Sequence, residues 1–178
     1  MVASEEEAAV FISLEELELH RVRVSKTYDS GALDYRGAEF RQLGTLKVDA
    51  VAELVGSDIH FEGHIRARLE ANCDRCLAPV ELPVEHDFDL LYRPVETIAR
   101  EEEIKVPKDE LEVGFYSGNG IPLADLVTEQ VILSVPMKVV CRADCLGFCP
   151  VCRANRNLAA CNCPEPRTDS PFAQLEEG

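Results

Sequence analysis

Residues 46–90 read LKVDAVAELVGSDIHFEGHIRARLEANCDRCLAPVELPVEHDFDL, and the period of this stretch decides the fold. Leu46, Val48, Ala50, Ala52 and Leu54 alternate with other, mostly polar residues. After a break at Gly56-Ser57-Asp58, Ile59, Phe61, Ile65, Ala67 and Leu69 alternate again. Val80, Leu82, Val84, Phe88 and Leu90 do so a third time. Successive side chains of a strand point to opposite faces, so these runs predict an antiparallel meander with one buried face. Such a face needs a cover. The run from Pro122 supplies one, because proline suits the first turn of a helix and Asp125 favours its positive end. Leu123, Leu126, Val127, Gln130, Val131 and Ser134 share one side of that helix, Ile132 and Leu133 widen it, and Pro136 stops it. The expected class is α+β: an antiparallel β-meander covered by one main helix, with a C-terminal cysteine-rich, zinc-ribbon-like module.

The flanks are read from their punctuation. Ser13-Leu14-Glu15-Glu16 has capping-box spacing, which predicts a short helix, and a strand through Val22 and Val24 should follow. Residues 29–44, with Asp29, Ser30, Gly31, Gly37 and Gly44, look like connecting turns. Residues 93–110 are acidic and hold Pro94 and Pro107; they read as a mobile connection with room for a brief strand at Ile104–Val106. A strand at Leu111–Tyr116 closes at the turn Ser117-Gly118-Asn119-Gly120. The expected division is a flexible acidic N-terminus over 1–12, a sheet-plus-helix domain over 13–140, and a zinc-binding module with tail over 141–178.

Composition narrows the function classes. Apolar residues make up 46% of 178, enough to build a core. No stretch approaches the ~20 apolar residues that span a bilayer, and MVASEEEAAV carries acid where a secretory leader carries base. A cytoplasmic protein, without membrane contact, is the expectation. The net charge of -15 opposes a wholly RNA-gripping surface, yet it is uneven. Residues 137–167 carry Lys138, Arg142, Arg153, Arg156 and Arg167 against Asp144 and Glu165, five minus two or +3, leaving -18 elsewhere.

Eight cysteines punctuate the chain: Cys73, Cys76, Cys141, Cys145, Cys149, Cys152, Cys161 and Cys163. In a reducing compartment they point to metal ligation rather than disulfides. Cys149-Pro150-Val151-Cys152 has the two-residue spacing that turns both sulfurs toward one ion, and Cys161-Asn162-Cys163 can complete a zinc tetrahedron. Cys73 and Cys76 fall on the hairpin tip between two strands. If the covering helix runs back along the sheet, Cys141 and Cys145 reach that tip and form a second zinc site. The alternative is one zinc drawing on the C-terminal six, with Cys73 and Cys76 left as a redox pair. No histidine enters the cluster, and His60 and His64 share a polar strand face with Glu62, Arg66 and Arg68. The sites therefore look structural, and no phosphate loop, nucleophile elbow or paired catalytic carboxylates accompany them. The chain is not expected to be an enzyme or to act on a small-molecule substrate.

The order of these motifs resembles the YceD family, the large ribosomal RNA subunit accumulation proteins of bacteria and plastids. The resemblance rests on Cys73-Asp74-Arg75-Cys76-Leu77, then Leu133-Ser134-Val135-Pro136-Met137, then Cys141-x3-Cys145-Leu146-Gly147-Phe148-Cys149-Pro150-Val151-Cys152-x-Ala154-Asn155-x-Asn157. Cys161-x-Cys163 and Asp169-Ser170-Pro171-Phe172-Ala173-Gln174-Leu175 complete it, so that it covers residues 13–176. Arg153 stands where the family usually has glycine. The resemblance implies a non-catalytic role in producing or accumulating large-subunit rRNA through ribosome assembly. Its partners would be that rRNA or its precursor, a basic large-subunit ribosomal protein, or both, with Arg142, Arg153 and Arg156 as candidate RNA contacts. A thiol-redox or metal-responsive regulator using Cys73 and Cys76 is the alternative, and an RNA-processing enzyme ranks below both.

Overall fold

The computed structural model describes residues 10–98 and 112–164. The chain divides into two compact units, Met1–Glu70 with Glu81–Pro136, and Ala71–Val80 with Met137–Gly178. The hairpin tip that carries Cys73 and Cys76 thus groups with the cysteine-rich segment, and that unit begins at Met137 rather than at 141.

In the first unit, β1 (Phe11–Ser13) leads into α1 (Leu14–Leu19), and the Ser13 side chain caps the helix by accepting from the Glu16 N–H at 3.3 Å. The main sheet follows: β2 (Val22–Tyr28), β3 (Phe40–Gln42), β4 (Leu46–Val55), β5 (Asp58–Asn72) and β6 (Pro79–Pro94). After α2 (Val95–Ile98) come β7 (Glu112–Tyr116), β8 (Gly120–Pro122) and α3 (Leu123–Ser134). The strand order is β2-β4-β5-β6-β7, with β3 also paired to β5, while β1 and β8 form a separate two-stranded ladder.

The three alternating runs lie on β4, β5 and β6. Val24 faces Ala50, and Ala50 faces Gly63, in antiparallel register. Leu46, Val48, Ile59, Phe61, Ile65 and Leu69 are almost wholly buried on one face. Leu123, Leu126, Val127 and Val131 of α3 join the same core, as expected of the cover. Each such side chain stabilises by about 1.5 to 3 kcal/mol relative to exposure. Gly63 interrupts the apolar alternation because a Cβ there would lie 2.8 Å from the Asp49 carbonyl oxygen and collide with the Phe88 ring.

Three expectations change. The sheet is mixed, not purely antiparallel: β7 runs parallel to β6, with Leu90 opposite Glu112. A parallel neighbour needs a long crossover, which the chain between Pro94 and Glu112 provides. The expected strand at Ile104–Val106 lies outside the described residues. Residues 29–44 are not all turn, because β3 forms there, held by the buried Gln42 amide. Its Nε2 donates to the carbonyls of Tyr28 and Gly44, and its Oε1 accepts from Tyr35. Finally, α3 is accompanied by two shorter helices, and it buries Thr128 while exposing Leu133.

The second unit is built differently. Its hairpin half runs over Ala71–Val80. Among the described residues 137–164 no helix or named strand forms, apart from a single bridge between Phe148 and Asn155. Its buried cluster is Cys73, Cys76 and Cys145, flanked by Ala78, Val80 and Val140. Leu146, Phe148, Val151 and Leu158, the sizeable hydrophobes of residues 141–163, are all exposed. Sulfur occupies the place that leucine and valine hold in the sheet.

Candidate metal centres

Two turns of identical construction carry the first cysteine of each cluster. In the first, the Cys73 N–H donates to the Ala78 carbonyl at 2.8 Å and the Leu77 N–H returns to the Cys73 carbonyl at 2.8 Å. In the second, the Cys149 N–H donates to the Ala154 carbonyl at 2.8 Å and the Arg153 N–H returns to the Cys149 carbonyl at 2.9 Å. The residue after the second cysteine is left-handed in both, Leu77 at φ 57° and Arg153 at φ 59°. Glycine adopts this region freely and other residues do so at some cost. That explains why a glycine is expected at 153, and the shared geometry shows that arginine leaves the turn intact.

The turns converge with other thiols into two sets. Cys73, Cys76, Cys141 and Cys145 form one, and Cys149, Cys152, Cys161 and Cys163 the other, with the sulfurs of each set within 4.8 Å of one another. This is the two-site partition expected from the sequence. The Cys73 and Cys145 sulfurs are 3.9 Å apart, and those of Cys76 and Cys141 are 3.7 Å apart. A tetrahedral ion bonded to four sulfurs at about 2.3 Å spaces them by about 3.8 Å. The donor sets therefore fit a closed four-thiolate site, and each could hold a metal ion.

Backbone amides prepare some of these sulfurs for ionisation. Burial opposes loss of the Cys73 proton, but the N–H groups of Cys141, Arg75 and Cys76 hold the thiol down at about 6. The N–H groups of Cys152 and Val151 lower Cys149 to about 6 against its burial. Burial likewise resists at Cys145, yet the Gly147 N–H and the Asn157 side chain bring it below the ordinary thiol value. The last protons are held firmly. Burial and the neighbouring sulfurs of Cys145, Cys76 and Cys73 push Cys141 up to about 12, and Cys163 reaches about 12 through its hydrogen bond with the Cys152 sulfur and through burial. A dication removes this mutual repulsion, so metal uptake releases protons.

The residues between the cysteines fasten the first cluster together. Asp74 accepts from the Val139 N–H at 2.7 Å and its own N–H donates to the Val139 carbonyl. The Arg75 guanidinium donates to the Cys145 carbonyl at 2.8 Å. Gly147 packs so closely that a Cβ would lie 2.7 Å from the Arg75 carbonyl oxygen, at φ 66°. No role for Asp74, Arg75 or Asn157 is legible in the sequence, because their partners are remote in the chain.

Of the three arginines expected at an RNA contact, Arg142 is engaged internally, with Asp144 at 3.2 Å and with the Asn157 Oδ1 at 2.9 Å. Arg153 and Arg156 are exposed. Cys73 and Cys76 are both buried, whereas Cys141 and Cys152 are exposed. Outside this unit, His60 contacts Asp89 and Glu53, and His64 contacts Asp87, which makes that strand face an ordinary ion-paired surface. No helix among the described residues is long and apolar enough to cross a membrane, which leaves β-barrels unaddressed.

The sequence pattern described as "Large ribosomal RNA subunit accumulation protein YceD" matches residues 61–177. An uncharacterized protein of Mycobacterium bovis is 31% identical over 107 residues, which cover 60% of this chain and 49% of that protein. An uncharacterized protein of Mycobacterium leprae is 26% identical over 132 residues, 74% of this chain and 58% of its own. The maize chloroplastic protein named large ribosomal RNA subunit accumulation protein YCED homolog 1 is 26% identical over 169 residues, 82% of this chain and 57% of its own. The chain thus spans about half the length of the relatives it matches. No solved structure matches it.

Proposed function

The chain belongs to the YceD family of large ribosomal RNA subunit accumulation proteins, and from that premise we propose a non-catalytic factor that supports large-subunit rRNA synthesis, processing or accumulation. It does so by binding rRNA, a basic ribosomal protein, or both, through a module riveted by two zinc ions.

The observation that carries this reading is the inside-out build of the second unit. Leu146, Phe148, Val151 and Leu158 are all exposed around two sulfur clusters that need no hydrophobic core. A segment that spends its large side chains on the surface is built to meet another molecule. Zinc is the ion of choice because four thiolates in a tetrahedron suit it and leave no open position for chemistry. Catalysis would require such a position.

Charge refines the partner. The described residues of this unit carry Arg75, Lys138, Arg142, Arg153 and Arg156 against Asp74 and Asp144, five minus two or +3. Four thiolates around a dication leave -2, so two loaded clusters reverse that surplus to -1. RNA contact then depends on Arg153 and Arg156 as individual donors rather than on a broad positive field, while the chain's charge of -15 suits a basic ribosomal protein.

Co-sedimentation with immature large subunits from cell extract tests the proposal. The full chain should travel with these particles, and the Phe148→Ser, Leu158→Ser double variant should not. A wild-type chain that stays at the top of the gradient under every salt condition contradicts it. The redox alternative is weakened at Cys73 and Cys76 by their burial.

A further inference from the structure

We propose that the two cysteine clusters take up metal cooperatively, and that Asn157 is the positioning residue that couples them. Asn157 belongs by sequence to the second cluster, since it lies in the loop between Cys152 and Cys161. By contact it serves the first. Its Nδ2 donates to the Cys145 sulfur at 3.4 Å and to the Asn155 Oδ1 at 2.9 Å. Its Oδ1 accepts from the Leu146 N–H at 2.9 Å and from the Arg142 guanidinium at 2.9 Å. One amide thus grips a ligand of the first cluster, the residue after that ligand, and the residue after Cys141.

The loop that carries Asn157 buries no large apolar side chain of its own. Leu158 is 85% exposed, and Arg153 and Arg156 point no side chain into a core. The loop's backbone is tied outward by the Arg156 N–H to the Gly147 carbonyl and by the bridge of Asn155 with Phe148, and inward by the Leu158 N–H to the Asn155 carbonyl. An ion that joins Cys149 and Cys152 to Cys161 and Cys163 closes this loop and so holds Asn157 in place. A second strut runs the same way: the Phe148 N–H, next to Cys149, donates to the Arg75 carbonyl at 3.1 Å, inside the Cys73–Cys76 turn. Closing the second cluster therefore pre-positions the first.

Asparagine is suited to this office in a way that aspartate is not. Its amide N–H can donate to a thiolate while its oxygen collects two donors, and a carboxylate would place negative charge against the sulfur. Hydrogen bonds to ligating atoms orient the ligand and tune its basicity. Coupling between sites is reciprocal, so occupancy of the first cluster must also favour the second.

The inference rests on both clusters being metal sites, and the test separates the two claims. The full chain, stripped by chelator under reducing conditions, is titrated with cobalt(II) alone and followed by native mass spectrometry and by the sulfur-to-cobalt absorption band. In wild type the one-cobalt species should stay below the share expected of independent sites. Removing the second cluster by Cys161→Ser with Cys163→Ser should weaken cobalt at the first by about tenfold, the worth of roughly one charge-assisted hydrogen bond. Asn157→Asp should cost a similar factor at the first cluster and shift its absorption band. The second-cluster change should then add little in the Asn157→Asp background. Binomial loading in wild type, together with a first-cluster affinity indifferent to the second, overturns the coupling and leaves the metal sites standing. A chain that takes up no cobalt removes both. The wild-type loading curve decides the matter even if a variant fails to fold.

Discussion

The two units of this chain reach stability by opposite means. The sheet unit buries Phe61, Leu46, Ile59 and Leu69 behind α3 and leaves its charges outside. The cysteine-rich unit buries Cys73, Cys76, Cys145 and Cys149 and leaves Leu146, Phe148, Val151 and Leu158 outside. The difference teaches that the second unit can leave its apolar side chains at the surface, because clusters of sulfur able to hold metal stand where a core would be. It also makes the units sensitive to different insults.

Cys76→Ser should show the largest effect. A structural zinc site is worth about 10 to 16 kcal/mol, so uptake should fall from two ions to one, with fast amide exchange over 71–80 and 137–148. Phe61→Ala strikes the other unit and should cost about 3 to 5 kcal/mol in chemical denaturation without changing the metal count. If it lowered the metal count while the chain remained folded, the contrast between the units would fail. Gly147→Ala sets a Cβ against the Arg75 carbonyl in a left-handed backbone. It should cost about 1 to 3 kcal/mol and register as weaker metal binding rather than as sheet unfolding.

A pH effect on the sheet face should be the smallest. Burial lowers the affinity of His60 for a proton, but Asp89 and Glu53 outweigh it and raise the pKa above the ordinary 6.5. A raised folded value means the contribution is complete below the unfolded value and is lost as pH rises through the folded one. The melting temperature of wild type should therefore fall slightly over that rise relative to His60→Gln, and parallel curves would remove the ion pair from the account.

Much of this was legible in the sequence, for identifiable reasons. Side-chain alternation is a local signal, so β4, β5 and β6 could be read from apolar residues two apart, and α3 from Leu123 to Val131. Thiol chemistry is equally legible, since two-residue spacing and parity lead to both clusters. What escaped depends on partners distant in the chain. The parallel pairing of Leu90 with Glu112 has no local pattern, and neither does the strand at Phe40, which a buried Gln42 amide holds in place. Asp74, Arg75 and Asn157 look like ordinary polar loop residues until Val139 and Cys145 are brought beside them. The charge of the module depends on what its clusters hold, for a chemical reason: a thiol counts as neutral, and a metal thiolate does not.

Hydrogen exchange read by mass spectrometry, before and after chelation of the full chain, tests the central claim most directly. Metal removal should abolish protection across 71–80 and 137–164 while the amides of β4 and the first half of β5 keep theirs. Protection of the cysteine-rich segment that survives complete removal of metal would contradict the account.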